Sequence, residues 1–287
     1  MSAVTASAAF AGLAPHADGR PWTMGVLNVT PDSFSDGGLH GDPLRAIDAG
    51  LQMHADGADL VDVGGESTRP GAGEVTIAEE IARVVPVVQA LADRGVVVSV
   101  DTRRAAVMRA ALDAGARLVN DVSALRDDPD ALPLLAARCC PVILMYRHGT
   151  AADGYTRPPG DLLPAVCAFL SERIEACLAT GLSRESVAID PGVGFVGGAP
   201  RDNMALIAGI PALAALGHPV VIGASRKRFI GTISGEPVAA RRLGGSLAMA
   251  LAAADRGAAM LRVHDVRETV QALKAQAALR SVGGKQG

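Results

Sequence analysis

Short apolar runs, several rich in β-branched residues, recur along the chain at residues 22–28, 58–64, 96–101, 118–121, 142–145, 187–190, 220–224 and 260–263. Each is bounded by polar residues or glycine. Near-continuous apolarity over so few residues is the pattern of strands buried on both faces, as in a parallel sheet. Between the runs, apolar residues recur at helical spacing. Leu44-Ile47-Leu51 is one such stripe, and Ile77-Ile81-Val84-Val85-Val88-Leu91 is a longer one. Further helical segments are predicted at 105–112, 133–137, 162–178, 204–216, 242–254 and 266–279. Gly57, Gly95, Gly115, Gly181, Gly217 and Gly257 stand shortly after periodic segments, where glycine closes a helix in the left-handed conformation.

Strand and helix thus alternate eight times. Right-handed crossovers on a parallel sheet leave an open doubly wound sheet or a closed barrel. Eight units of similar size favour an α/β fold of the single (β/α)8 TIM-barrel type, with function at the carboxyl ends of the strands. A Rossmann sheet is the alternative, but no strand runs into Gly-x-Gly-x-x-Gly with the acid it needs downstream. The barrel is expected over residues 20–280, with 1–19 a flexible lead-in and 281–287 a frayed glycine-rich tail.

Composition changes this picture little. At 287 residues, 49% apolar and 20% charged, the chain is globular and of ordinary size for one barrel. A net charge of −3, without charge blocks, lacks the basic footprint of a nucleic-acid binder. Cys139, Cys140, Cys167 and Cys177 form no Cys-x-x-Cys pair and read as free thiols of a reducing compartment. The Ala-rich start has no positive n-region, and no apolar run is long enough to span a bilayer. A soluble, cytoplasmic protein is expected.

The strand ends carry the chemistry. Asn28 ends the first, and the second runs through Asp62 into Gly64-Gly65-Glu66-Ser67-Thr68-Arg69-Pro70-Gly71. The third and fourth end in Asp101-Thr102 and Asn120-Asp121. The sixth, seventh and eighth end in Asp190-Pro191-Gly192, Ser225-Arg226-Lys227 and Arg262-Val263-His264-Asp265. Singly, each has a plain structural reading. Asp62 is a barrel-lining acid, Asp101 a helix N-cap, Asn120 a loop cap, Asp190 a turn residue, Arg69 and Lys227 solvated cations, and His264 a packing group. In a barrel they meet at one mouth and split into two sets. Asp101, Asn120, Asp190 and Lys227 suit a flat, nitrogen-rich heterocycle, since a carboxylate accepts paired N–H donors. Arg69, Arg262 and His264, with Asn28 opposite, suit an anion. Arg262 and His264 point to one side of an extended strand end, just before a helix N-terminus. Asn28 offers an amide oxygen of the kind Mg²⁺ accepts beside phosphates.

These motifs, with residues 27–38 (Leu-Asn-Val-Thr-Pro-Asp-Ser-Phe-Ser-Asp-Gly-Gly), resemble those of the dihydropteroate synthases, pterin-binding barrel enzymes of folate biosynthesis. The resemblance runs from about Trp22 to the last helix. It implies condensation of 6-hydroxymethyl-7,8-dihydropterin diphosphate with 4-aminobenzoate, giving 7,8-dihydropteroate and diphosphate. It implies pterin contacts from Asp101, Asn120, Asp190 and Lys227, and diphosphate contacts from Arg69, Arg262 and His264. Asp101, Lys227, Arg262 and His264 are then the residues expected to carry catalysis. Thr68 and Ser225 match the aminobenzoate side, and Asn28 matches the ligand of a Mg²⁺ cofactor. A homodimer inhibited by sulfonamides is implied, with residues 30–38 a mobile cover. Tyr146 stands where the family often has histidine, and Arg228 where some members carry serine. A barrel that presents methyltetrahydrofolate, or a catalytically idle pterin-binding module, are the other readings.

Overall fold

The eight apolar runs become eight parallel strands of one sheet, whose spatial order is sixth, fifth, fourth, third, second, first, eighth, seventh along the chain. The structure, a computed structural model, describes residues 10–30, 43–67, 73–197 and 199–283. In chain order the elements are β1 (Trp22–Asn28), α1 (Pro43–Ala55), β2 (Leu60–Gly64), α2 (Ile77–Ala92), β3 (Val98–Asp101), α3 (Ala105–Asp113), β4 (Leu118–Asp121) and α4 (Ala131–Ala137). They continue with β5 (Val142–Met145), β6 (Gly149–Thr150), β7 (Gly154–Tyr155), α5 (Leu162–Ala179), β8 (Val187–Asp190), α6 (Pro200–Ala208) and α7 (Ile210–Ala214). The last are β9 (Val221–Ile222), α8 (Arg228–Ser234), α9 (Leu243–Asp255), β10 (Met260–Val263) and α10 (Val266–Gly283). A parallel bridge between Ile189 and Val220 joins the two edges, so the sheet closes into the expected (β/α)8 barrel.

Strand alternation sorts the apolar residues into two cores. Outward residues such as Val61, Val63, Val98, Val100, Leu144 and Ile189 pack against the helices in one large cluster. Inward residues at the strand beginnings form a second: Trp22, Met24, Leu60, Leu118, Ile143, Ala188, Val221 and Met260. Phe10, only 1% exposed, joins this inner cluster from below. It is held there by paired backbone bonds with Leu13, and the Trp22 indole N–H donates to the Ala14 carbonyl. Phe10, Ala11 and Leu13 of the expected lead-in thus pack at the barrel base, while residues 1–9 lie outside the described residues.

All six expected helix-ending glycines have positive φ, between +79° and +106°. Three local features differ from expectation. The helix expected at 204–216 starts at Pro200 and divides at Gly209, where Pro211 has no N–H to continue the ladder. α8 carried no sequence signal because it is short, contains Gly231 and is rich in β-branched residues. β6 and β7 pair as a ribbon too short to show alternation.

Candidate active site

Register, not sequence proximity, assembles the site. Asn28 lies beside Gly64, Gly64 beside Asp101, and Asp101 beside Asn120, while Met145 lies beside Asp190 on the next pair of strands. Their inward side chains rise above the apolar layer into one pocket. Asp101, Asn120, Asp190, Lys227 and Arg262 line it, with Val122, Met145, Val193 and Phe195 as apolar walls. The pterin set expected from the sequence is therefore brought together whole.

Arg262 is the centre of the floor. Its Nε lies 2.6 Å from Asp62 Oδ2, its Nη2 2.7 Å from Asp101 Oδ2. Asn120 Nδ2 donates to the same Asp62 oxygen at 3.0 Å. Two buried carboxylates hold the guanidinium firmly charged, and its pKa is raised further. Burial pushes the Asp101 carboxyl upward, Arg262 opposes that, and the like charge of Asp62 adds to the rise. The helix-capping reading of Asp101 fails, because α3 starts at Ala105 and its first N–H is bonded by Asp128.

Asp190 is pushed up to about 6 by burial, against the Gly192 N–H that it accepts at 2.7 Å and the charges of Lys227 and Arg262. The turn is tight. Gly192 sits at φ +74°, and a β-carbon there would collide with the Tyr146 carbonyl oxygen, so glycine is required. Lys227 crosses the face of Gly194 and places its ammonium 4.0 Å from the Phe195 ring centroid. Asp121, next in sequence to Asn120, points elsewhere. It accepts from Ser123 N–H, Ser123 Oγ and Leu125 N–H, so it folds the following loop. Alternation along β4 thus separates one polar pair into a site residue and a structural one.

On the anion side, His264 follows β10 at the start of α10. Its backbone N–H and Nδ1 lie 3.2 and 3.1 Å from Ser225 Oγ. Burial, then Arg262, Arg226 and Lys227, press its pKa down to about 3, so the ring is neutral at pH 7. Nδ1 and Ser225 Oγ share one hydrogen bond, and in the tautomer that carries its proton on Nε2 the ring can donate to an anion without a net charge. Ser225, expected on the aminobenzoate side, is buried against this histidine. Thr68, Arg69 and the expected cover from Pro31 onward lie outside the described residues. Tyr146 turns outward, 4% exposed and edge-on to Phe169, and Arg228 is exposed as the first residue of α8.

Asn28 stands half-buried at the end of β1 and makes no hydrogen bond from its side chain to a described residue. No group of three metal-ligating acids, histidines or cysteines occurs among the described residues. A single amide oxygen fits Mg²⁺ only in its usual manner, with substrate phosphates and water supplying the other ligands.

Two features carry no sequence signal. Asp62 lies two residues inside its strand, where an acid reads as structural, yet it is the acceptor that joins Arg262 to Asn120. Around the rim, salt bridges link Glu80, Arg104, Glu66, Arg103, Asp127 and Arg147 in an unbroken chain. Charges scattered over four loops and one buried position of α2 give no sequence signal for it.

The family described as "Pterin binding enzyme" matches residues 24–264. The dihydropteroate synthase of Mycobacterium leprae is 46% identical over 259 residues, covering 88% of this chain and 90% of that protein. A structure of Xanthomonas albilineans dihydropteroate synthase with 4-aminobenzoic acid aligns at TM-score 0.86 and 46% identity, covering 92% of this chain and 94% of that one. A second Xanthomonas albilineans structure, in complex with 7,8-dihydropteroate, aligns at TM-score 0.82 and 43% identity over 92% and 95% of the two chains. The chain belongs to the dihydropteroate synthases, a family of pterin-binding enzymes.

Proposed function

We propose that this protein joins 6-hydroxymethyl-7,8-dihydropterin diphosphate to 4-aminobenzoate, releasing 7,8-dihydropteroate and diphosphate. The observation that carries the reading is the shared floor. Acceptors for a pterin edge (Asp101, Asn120 and Asp190) and a donor for an anion (Arg262) line a single pocket, and His264 stands two residues beyond Arg262, bonded to Ser225. The relatives found with 4-aminobenzoic acid and with 7,8-dihydropteroate support the same substrates.

An aryl amine is a neutral nucleophile at pH 7, so no strong base is needed to create it. The C–O bond from the pterin methylene to diphosphate breaks, and the amine nitrogen then bonds to that carbon and loses a proton to water or to diphosphate. Arg262, His264 and Arg69 stabilise the charge left on diphosphate. Asp101 faces the electron-poor pterin, and Lys227 and Asp190 orient its ring. Mg²⁺, held by Asn28 together with substrate phosphates, would supply further charge neutralisation at the leaving group. Closure of the loops after β1 and β2 would exclude the water that competes with the amine.

A homodimer is part of this proposal. The helix α9 is rich in Ala and Leu, and beside Met249 and Leu251, which pack partly on the core, it keeps Leu247 half-buried and Ala248 exposed, a surface suited to a second copy. A reducing, cytoplasmic setting is supported by four unbridged cysteines. No described helix is long and apolar enough to cross a membrane.

The test is to supply the pterin diphosphate, 4-aminobenzoate and Mg²⁺ and follow diphosphate release. Aminobenzoate-dependent release is expected. Pterin binding without release would instead support a presenting or idle barrel.

A further inference from the structure

Asp62 is fully buried on β2, in register with Val26 on one side and Ser99 on the other. Its Oδ2 receives both Arg262 Nε at 2.6 Å and Asn120 Nδ2 at 3.0 Å. This geometry restricts both neighbours. The donor at Asn120 must be the NH₂ group, so the amide carbonyl is turned the other way, towards the pocket that Asn120 lines. Arg262 is held by Nε, the nitrogen nearest its stem. Its outer nitrogen, Nη2, holds Asp101 at 2.7 Å.

In the reaction proposed above, Asp101 faces the pterin and Arg262 faces diphosphate. The guanidinium gives one N–H to Asp62 and one to Asp101, which leaves three of its five for an anion, and Asp101 keeps acceptor sites for the pterin. A carboxylate on Nε fixes the plane of the guanidinium, and with it the direction in which the outer N–H groups point.

We propose that Asp62 is a positioning residue of this site. It sets the Asn120 amide with its carbonyl towards the pterin and tethers Arg262 by Nε, so that the outer guanidinium N–H groups are aimed at Asp101 and at diphosphate. The proposal rests on the synthase reading, and it concerns a residue that would touch no substrate.

The test compares the parent, Asp62→Asn and the double variant Asp62→Asn/Asn120→Asp in steady-state kinetics, with equilibrium binding of 6-hydroxymethylpterin measured in parallel. In Asp62→Asn the new amide can donate to Asn120, which allows that side chain to reverse, and Arg262 loses one counterion. The KM for pterin diphosphate should rise, and pterin binding weaken, by about ten-fold or more, the scale of a lost hydrogen bond to a charged group. The KM for 4-aminobenzoate should stay within about two-fold, because only the pterin and diphosphate contacts are coupled to Asp62. The double variant returns a carboxylate to the pair and an acceptor to the pocket, and should recover part of the pterin affinity. Unchanged pterin binding in folded Asp62→Asn, or lowered stability with unchanged constants, would overturn the proposal. If Asp62→Asn does not fold, the folded double variant decides it, and pterin affinity no better than about a hundredth of the parent's would count against the proposal. Failure of the parent to release diphosphate would remove the synthase reading alone, since the pterin-binding comparison still reports on Asp62.

Discussion

The two ends of the barrel are built from the same eight strands with the same inward alternation, yet they do opposite things. At the base the inward residues are Trp22, Met24, Leu60, Leu118, Ile143, Ala188, Val221 and Met260, closed from below by Phe10. Two residues further along, the inward positions of five of those strands are Asp62, Asn120, Asp190, Gly223 and Arg262. The base gains stability by removing apolar surface from water. The mouth gives some of that up, since it holds Asp62 and Asp190 away from water, with Asp101 half-buried beside them, around one arginine and one lysine. A barrel can carry such a mouth because its lower layer is independent of it. The difference teaches that stability and chemistry are separated along each strand, not between domains.

The sharpest way to break this division is at the charged floor. Arg262→Ala leaves Asp62 and Asp101 buried without their cation. It should lower kcat/KM by about 10²–10³-fold and stability by about 3–5 kcal/mol. Kinetics of the purified variant and urea unfolding would measure both, and a loss below about ten-fold in kcat/KM would mean that the anion site lies elsewhere. Phe10→Ala attacks the other end. It should cost about 3–5 kcal/mol of stability through the cavity it opens, while KM for each substrate in the folded protein stays unchanged. A clear change in KM would show that base and mouth are mechanically coupled.

A smaller effect should appear in pH dependence. Asp190 has its folded pKa raised from 3.8 to about 6, so the folded protein binds more protons than the unfolded chain between those values. Its contribution is fully present below about pH 4 and is lost as pH rises through 6. His264 acts in the opposite sense. Its folded pKa falls from 6.5 to about 3, so its contribution is present above 6.5 and is lost on acidification. Asp190→Asn should therefore gain stability relative to the parent between pH 4 and 7, by about 1–3 kcal/mol. A constant difference in urea midpoints across that range would refute the burial of an ionisable Asp190.

The rim should give the smallest response. Asp127 is bound by Arg103 and Arg147, but its side chain is 23% exposed and that of Arg103 is 32% exposed. Asp127→Asn should cost no more than about 1 kcal/mol, and less in high salt. A large, salt-independent loss would place the rim chain with the floor as a buried assembly.

Much of this was legible before any coordinates. Five of the barrel strands have the bounds that the apolar runs marked, and the six glycines end their helices as expected. Asp101, Asn120, Asp190, Lys227 and Arg262 were named from strand ends and meet in one pocket. What stayed hidden depended on contacts distant in sequence. Asp62 looks like any acid inside a strand until Arg262, 200 positions away, is seen to bond it. Ser225 gives no sign that its hydroxyl belongs to His264. Nothing in Phe10 alone distinguishes a plug from a lead-in.

The sequence by itself determined the eight barrel strands, most of the helices, their order and the chemical character of the mouth. Those follow from local periodicity, from glycine at positive φ and from polar residues placed where strands stop. Only the tertiary structure decided which polar groups neutralise which, what fills the base, and that Asp101 and Arg262 are partners. The reason is physical: secondary structure is specified by neighbours a few residues apart, whereas hydrogen-bond partners, burial and pKa depend on distances that only barrel closure creates.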